Sequence, residues 1–377
     1  MAGPHHLETA PSSSPAGEAS PSDPLVTVLA VHHRLSRRWM AVMGILATVT
    51  VLLILLCLRV GSQPVDLIDM VHTFSHIIVP DRSQTDVEIG ETILVYVRLP
   101  RVLLALLIGA SLAVVGVALQ ALLRNPLADP YVLGISSGSA LGASLALSIG
   151  IGHSLVQQAT VPFWAFVGGI AAMAVVYRIA LSGGRLPVHT LLLTGIIINA
   201  VLSAVILFVT SILDPTKLFR MMSWLMGNVP SPDFATLGIL AAYAGVGILL
   251  LLRQAGNLNL LALGEESAMT LGVDVERVKK TVFVLAALLT GAAVSVSGMI
   301  GFVGMVVPHM LRMTIGADHR FLLPASALIG GCFLMISDTM ARTLFAPSEI
   351  PVGIVTALIG GPIFIGLLMT HTARMNG

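Results

Sequence analysis

The sequence has very little charge. Only 10% of its 377 residues are charged and 56% are hydrophobic, whereas soluble domains carry roughly a quarter charged residues. A chain this poor in charge cannot cover itself with a hydrated surface, so most of it is expected to face lipid. The formal net charge is +1, which offers no basic surface for the phosphates of nucleic acid. Membrane lipid, and not nucleic acid, is the predicted environment.

Cysteine and lysine are scarce as well. Cys57 and Cys332 lie in apolar runs without CxxC or Cys/His spacing, so neither a disulfide framework nor a metal site is predicted. None of the three lysines (Lys217, Lys279 and Lys280) follows a glycine, and no GxxxxGK[ST] loop is present to hold the phosphates of ATP. No cofactor and no catalytic residue is predicted. Any transport must draw its energy from an ion gradient or from another subunit.

Long apolar runs are abundant. Residues 1–38, rich in Pro, Ser and His, are predicted to form a disordered cytoplasmic tail, and residues 39–377 a transmembrane domain. About ten apolar stretches occur in that domain, most of them close to the roughly 20 residues that span a bilayer. They lie at 39–60, 102–123, 131–151, 161–181, 189–213, 235–252, 278–300, 302–316, 322–345 and 352–370. The predicted fold is an all-α polytopic membrane protein, with an unusually short eighth segment.

Positive charge supports the ten-segment layout. With the N-terminus inside and alternating sides thereafter, 13 of the 20 Lys and Arg residues fall inside, as the positive-inside rule expects. Both termini are therefore predicted to be cytoplasmic. The thirteen are Arg34, Arg37, Arg38, Arg124, Arg178, Arg185, Arg253, Arg277, Lys279, Lys280, Arg312, Arg320 and Arg374.

An internal repeat points the same way. Four Gly and Pro residues recur without gaps at an offset of 182, which predicts two copies of opposite orientation, a duplication common among transporters. The first set is Gly109, Gly116, Pro126 and Gly134, and the second is Gly291, Gly298, Pro308 and Gly316.

The third apolar segment begins with a dense motif. Gly134, Gly138 and Gly142 form a GxxxGxxxG ridge, which favours close helix packing in lipid. The same stretch matches the GxSxG pattern of serine hydrolases around Ser136, but that elbow needs a preceding strand, a histidine and an acid. Packing is the favoured interpretation, and an intramembrane hydrolase is the minor alternative. Before it, Asp129 is predicted to cap the next helix, with a proline in its first turn.

Several polar residues leave a structural and a functional interpretation open. The inner connection 253–277 carries apolar residues on a water-facing loop, which either its own helix ends or a docked partner must cover. Outer arginines at the ends of spans either extend to the membrane interface or serve a function, and the first interpretation is favoured. His72 and His76, four residues apart, could hold a metal or haem iron, although ordinary surface histidines are favoured. His309 is expected to satisfy backbone groups freed by the preceding proline.

Together these stretches resemble the FecCD-type permeases, the membrane subunits of ABC importers for iron-siderophores, cobalamin and haem. The resemblance covers most of residues 93–370. The stretches that carry it are Arg98-Leu-Pro-Arg101, Gln120-Ala-Leu-Leu-Arg-Asn125-Pro-Leu-Ala-Asp-Pro130, Leu133-Gly-Ile-Ser-Ser-Gly138, Leu263-Gly-Glu-Glu-Ser-Ala268, Gly301-Phe-Val-Gly304, Pro308-His-Met-Leu-Arg312, Asp338-Thr-Met-Ala-Arg342 and Ile350-Pro-Val-Gly353.

The resemblance implies an architecture and a set of partners. It implies a type II ABC importer permease like that for cobalamin, with ten helices per subunit and a translocation path along the axis of a homodimer. It also implies a cytoplasmic ATPase dimer below and a periplasmic substrate-binding protein above. The segment that would contact the ATPase consists of Leu263, Gly264, Glu265, Glu266, Ala268, Leu271 and Gly272, and the residues that would dock the binding protein are Arg98, Arg101 and Arg342.

Function remains open between two classes. An importer permease energised by a separate ATPase is favoured, with haem as cargo because the chain looks most like the haem-uptake branch. An iron-siderophore or cobalamin is the alternative cargo. A self-energised secondary transporter is the rival class, and it is disfavoured because the spans contain few ionisable residues, mostly near their predicted ends.

Overall fold

In a computed structural model, the chain is described at residues 24–61, 89–149 and 160–375, and within these ranges it is helical with no sheet. Two compact units are distinguished, residues 1–45 and 46–377, and the features discussed below lie in the second. The α-helices are α1 (Pro24–Arg59), α2 (Ile89–Thr92), α3 (Leu99–Leu122), α4 (Ile135–Ser148), α5 (Thr160–Ala180), α6 (Val188–Ser211), α7 (Pro215–Leu225), α8 (Phe234–Arg253), α9 (Ala255–Ala262), α10 (Glu265–Thr270), α11 (Val275–Ser297), α12 (Val303–Ile315), α13 (His319–Thr343) and α14 (Val352–Met375).

The all-helical membrane fold is confirmed. Each of the ten predicted apolar stretches contains a helix, and in the described part of the chain seven helical segments are long and apolar enough to cross a membrane. These seven are Trp39–Arg59, Ile93–Leu122, Thr160–Ala180, Val188–Ser211, Phe234–Arg253, Val275–Ser297 and His319–Thr343. The predicted third and eighth segments form only the short helices α4 and α12, and the tenth, in α14, is not among the seven, so a count of ten spans stays a prediction.

Helix α3 forms the centre of the bundle, since it is buried along most of its length. It packs against α11, α12 and α13. Where α3 meets α13, Gly109 lies against the backbone carbonyl of Gly330, and where it meets α12, Gly116 lies against that of Gly304. Lipid tails provide no hydrophobic drive between helices, so close van der Waals contact must hold them together, and small residues allow it.

The glycine ridge of the third segment has two structural uses. Gly138 faces Gly168 and Ala172 of α5, and Gly142 faces the carbonyl of Trp164, so that α4 and α5 approach closely. Gly134 instead has φ +79° and ends the 3₁₀ turn Pro130–Leu133 just before α4. A left-handed conformation of this kind costs glycine little and other residues more.

Asp129 caps that 3₁₀ turn, as predicted. Its side chain accepts a hydrogen bond from the backbone N–H of Tyr131 at 2.9 Å, and Pro130 occupies the first position. The carboxyl group is buried in the connection between α3 and α4, which raises its pKa to about 6 because burial disfavours the charged form. The hydrogen bond from Tyr131 opposes this rise in the pKa and does not cancel it.

The helices of the two predicted repeats have similar lengths. Helices α3 to α6 have 24, 14, 21 and 24 residues, and α11 to α14 have 23, 13, 25 and 24. The ungapped correspondence at an offset of 182 is wrong, however. It equates Pro126, in the turn after α3, with Pro308, inside α12. The connections between helices differ in length in the two halves, so no constant offset can relate them. The opposite orientation of the halves stays a prediction.

The packing of α3 on α13 is tested by Gly109→Ala. Alanine is favoured over glycine in a helix by roughly 0.5–1 kcal/mol, but here its Cβ would overlap the carbonyl of Gly330. We expect a net loss of about 1–3 kcal/mol of stability, measured by chemical denaturation in detergent. Gly245→Ala in α8 is the matched control, because nothing lies within 4 Å of a Cβ there. Equal stability of the two variants would contradict this packing.

Candidate functional sites at the two ends of the bundle

One end of the bundle carries a buried ion-pair cluster around Asp338, which lies near the end of α13. Arg101 places Nη2 3.0 Å and Nε 3.2 Å from the Asp338 carboxylate, and its Nη1 lies 3.0 Å from Glu349. Arg342, one helical turn after Asp338, places Nε 3.2 Å from Asp338 Oδ2. The Asp338 side chain is 1% exposed, and two guanidinium groups therefore neutralise a carboxylate that could not stay charged alone.

Arg98 belongs to the same end of the bundle. Its Nη1 donates to the carbonyl oxygen of Leu58 at 3.1 Å, near the end of α1. Terminal carbonyls of a helix have no partner within the helix, so the guanidinium caps α1 from a neighbouring element. The end of α1, the start of α3 and the end of α13 meet here, as expected for helices whose direction alternates across a membrane.

The three arginines predicted to dock a binding protein thus lie at the same end of the bundle. They are not exposed charges at its rim. Arg98, Arg101 and Arg342 are all buried within the chain. Arg101 and Arg342 also pair with Asp338, so these two do more than extend to the membrane interface. Their part in docking stays a prediction.

The partners of these arginines were missed by the sequence analysis. The spacing of Asp338 and Arg342, four residues apart on one helix, was a usable signal for an ion pair. Glu349 follows α13 in a connection, and its sequence neighbourhood gave no sign that it would reach Arg101. Its side chain is 49% exposed, which makes it the accessible acidic group of the cluster.

The other end of the bundle carries the segment 253–277, which folds into α9 and α10 followed by a loop. Gly264 (φ +121°) separates the two helices, and Gly272 (φ +84°) lies in the loop that follows α10. Helix α9 is anchored by buried Leu258 and Leu261, and α10 by buried Ala268.

Three large apolar residues of this segment point away from the chain. Leu263, Met269 and Leu271 are 67%, 55% and 60% exposed, and we call them the apolar crest. The sequence left open that the chain's own helix ends cover this loop. The structure shows that they do not cover these three side chains. The sequence predicts that this segment faces water, where exposed apolar groups favour contact with a partner; that contact stays a prediction.

The two glutamates of this segment differ in their surroundings. Glu265 Oε2 lies 2.7 Å from Nζ of Lys279 in α11. Glu266 is exposed. Glu265 is therefore engaged within the chain, whereas Glu266 stands beside the apolar crest where a partner can reach it.

A second set of polar contacts ties α9 to the start of α13. Asn259 Nδ2 donates to Asp318 Oδ1 at 2.7 Å, and Asn259 Oδ1 accepts the backbone N–H of His319 at 2.8 Å. Close by in the sequence, Arg312 of α12 donates to the side-chain oxygen of Gln120 at 3.0 Å. The segment 253–277 is thus held to the bundle by directed hydrogen bonds as well as by apolar anchors.

The remaining candidates give no catalytic or metal site in the described residues. Ser136 lies fully buried in the first turn of α4, with no strand before it, so the nucleophile elbow of a hydrolase is absent there. Among the described residues no group of three or more His, Cys, Asp or Glu could hold a metal ion. His309 is buried in α12 with its ring 6.3 Å from that of Phe364. His72 and His76 lie outside the described residues.

Comparison with known proteins gives one family. The model of the FecCD transport family matches residues 49–370. The hemin transport system permease of Yersinia pestis is 45% identical over 283 residues, 74% of this chain and 84% of the relative. The cobalamin import system permease of Halobacterium salinarum is 43% identical over 287 residues, 76% of each chain. A solved inward-facing metal-chelate type ABC transporter is 32% identical, with a TM-score of 0.76 over 88% of this chain and 99% of that one.

The charge cluster is tested by Asp338→Asn. Asparagine cannot neutralise the two buried guanidinium groups of Arg101 and Arg342, so we expect a loss of about 3 kcal/mol or more. Glu349→Gln removes a half-exposed carboxylate from the same Arg101 and should cost less than about 1 kcal/mol. Thermal unfolding in detergent, measured for both variants, checks the difference. Equal costs would mean that burial does not decide the contribution of each carboxylate.

Proposed function

The chain belongs to the FecCD transport family, and from this premise we propose that it is the membrane-spanning subunit of an ABC importer that carries haem across the bacterial inner membrane. The observation that carries the proposal is the family match over residues 49–370, which includes both ends of the bundle. ATP hydrolysis is assigned to a separate subunit, since the sequence has no phosphate-binding loop. A periplasmic binding protein delivers the cargo.

We propose a homodimer with ten spans per subunit and both termini in the cytoplasm. Most residues of α6 and α8 are not buried within the single chain, so these helices have surface available for lipid and for a second copy. Residues predicted to lie outside, such as Arg101 and Arg342, meet at one end of the bundle. Residues predicted to lie inside, such as Lys279 and Arg312, belong to the polar contacts of the other. This grouping supports the alternating layout.

The binding protein is proposed to dock at the end that carries Arg98, Arg101 and Arg342. Because the three arginines are buried, we assign them the task of holding the surface in place and Glu349 the role of its accessible charge. Charges at the edge of such an interface act mainly on encounter rate and orientation.

The ATPase is proposed to bind the opposite end through the apolar crest of Leu263, Met269 and Leu271, with Glu266 as a polar contact. Gly264 and Gly272 set the turns that present the crest, and buried Ala268 fixes α10 beneath it. A water-facing surface with this much exposed apolar area gains free energy when a partner covers it.

Haem is the proposed cargo, supported by the 45% identity to the hemin permease of Yersinia pestis. The 43% identity to a cobalamin permease makes cobalamin the nearest alternative, and the 35% identity to an iron(3+)-hydroxamate permease of Bacillus subtilis makes a siderophore the next. All three cargoes are large and carry both apolar and polar surface, so one path architecture suits each of them.

Reconstituted transport tests the cargo. Proteoliposomes containing this chain, its ATPase and its binding protein are expected to take up haem on addition of ATP, at least tenfold faster than cyanocobalamin or a ferric hydroxamate. Faster uptake of either competitor would reassign the cargo within the same function. Proteoliposomes with this chain alone and an imposed proton gradient are the control. Haem uptake there would contradict the importer and favour a self-energised secondary transporter.

The ATPase surface is tested by the double variant Met269→Asp with Leu271→Asp. Two carboxylates in place of exposed apolar side chains should weaken binding of the ATPase by at least tenfold without unfolding the permease, because neither residue is buried. Thr270→Asp, between them and also exposed, adds charge without removing apolar surface and serves as the control. Pull-down with the purified ATPase gives the measurement, and unchanged binding of the double variant would move the interface elsewhere.

A further inference from the structure

Lys279, near the start of α11, joins three elements through one buried ammonium group. Its side chain is 4% exposed. Nζ lies 2.7 Å from Glu265 Oε2, 3.1 Å from Glu276 Oε1 and 3.2 Å from the carbonyl oxygen of Leu186. An ammonium group has three N–H donors, so these three acceptors satisfy it completely.

The Leu186 contact leads to the connection between α5 and α6. That connection is a tight turn in which Ser182 and Arg185 exchange two backbone hydrogen bonds of 3.0 and 2.9 Å. Gly183 and Gly184 at its tip both have positive φ, +55° and +80°, as in a type I′ turn, where glycine is favoured. The turn is therefore short and conformationally defined.

Leu186 is held from both sides and passes directly into α6. Its backbone N–H donates to Glu276 Oε2 at 2.8 Å, while its carbonyl accepts from Lys279. The next residue, Pro187, is the N-cap of α6 with φ −66°, a value that its ring restricts. A displacement of Leu186 thus reaches the first turn of α6 without an intervening flexible residue.

The Glu265 contact connects Lys279 to the segment that carries the apolar crest. Glu265 is the first residue of α10, the helix that carries part of the apolar crest. Lys279 therefore touches, with one group, the segment proposed to bind the ATPase and the turn that begins α6.

We propose that Lys279 is a positioning residue that couples movement of α10 to the start of α6. A buried ammonium that loses a carboxylate partner is left with an uncompensated charge, which is strongly unfavourable. When the bound ATPase displaces α10, Glu265 moves with it. The Lys279 ammonium group keeps its ion pair with Glu265, and its hydrogen bond to the Leu186 carbonyl displaces Leu186 in turn. This inference rests on the proposed binding of an ATPase at the apolar crest.

The test is Lys279→Met in the reconstituted importer, with haem as the transported probe. Methionine keeps a long unbranched side chain but forms no ion pair. We expect ATPase binding within twofold of the wild type and a rise of at least tenfold in ATP hydrolysed per haem taken up. Lys280→Met is the control, since Lys280 forms no ion pair within the described residues. Unchanged coupling in Lys279→Met would overturn the inference.

A distance measurement separates coupling from a merely structural role. Spin labels at Arg185→Cys and Thr270→Cys report on the turn and on α10, and both native cysteines are buried. With Lys279 present, the distance between the labels should stay the same when nucleotide binds, because the junction moves as one body. With Lys279→Met, the distance should change with nucleotide. A distance that changes equally in both proteins would contradict the junction.

Glu265→Gln keeps the inference testable if Lys279→Met does not fold. Glutamine removes the charge that links α10 to the ammonium group but leaves the Glu276 and Leu186 contacts in place. We expect at least a threefold rise in ATP hydrolysed per haem, and unchanged coupling would count against the junction. If the wild-type chain bound no ATPase, the proposed function would fail. Normal binding and coupling in both Lys279→Met and Glu265→Gln would remove only the junction.

Discussion

Helices in a bilayer gain nothing from hiding apolar surface from water, so this bundle depends on how closely its backbones can approach. Glycine provides that approach at the contacts of Gly109 with Gly330, Gly116 with Gly304 and Gly138 with Gly168. These contacts fix α3, α12 and α13 on one side and α4 and α5 on the other. The charged clusters at the two ends are placed by this packing, because their residues lie at the ends of the same helices.

The two ends manage buried charge in different ways. At one end Asp338 is shared between Arg101 and Arg342, two residues on the long helices α3 and α13 that also pack through glycine. Because α3 and α13 also pack closely, this cluster is fixed by the core and suits a surface that does not change shape. At the other end Lys279 reaches Glu265, which lies on a short helix anchored by few residues. A charge pair between the core and a lightly anchored element suits a surface that moves.

Much of the fold followed from the sequence because lipid imposes simple rules on apolar runs. The ten stretches, the helical class and the cap at Asp129 all came from local composition. The ungapped repeat failed because Pro126 and Pro308 occupy different kinds of structure, which glycine and proline spacing cannot reveal. The burial of Arg98, Arg101 and Arg342 was missed for a related reason: an arginine at the end of a span faces water or a partner carboxylate according to tertiary packing. Lys279 could not be singled out because its partners are separated from one another by up to 90 residues.

The division of labour in the proposed importer follows from these differences. A permease without a nucleotide site must receive its energy as displacement, and displacement is transmitted only through contacts that cost free energy to break. Apolar contacts in lipid can slide at little cost, since lipid replaces the lost neighbour. A buried ammonium that loses Glu265 keeps an uncompensated charge, so the proposed movement of α10 is resisted at this contact. In the proposed coupling, Leu186 and Pro187 carry the movement into α6, most of which is not buried within the chain. Lys279 is thus the charged contact through which the proposed displacement passes, whereas the glycine contacts of α3 with α12 and α13 hold the bundle together.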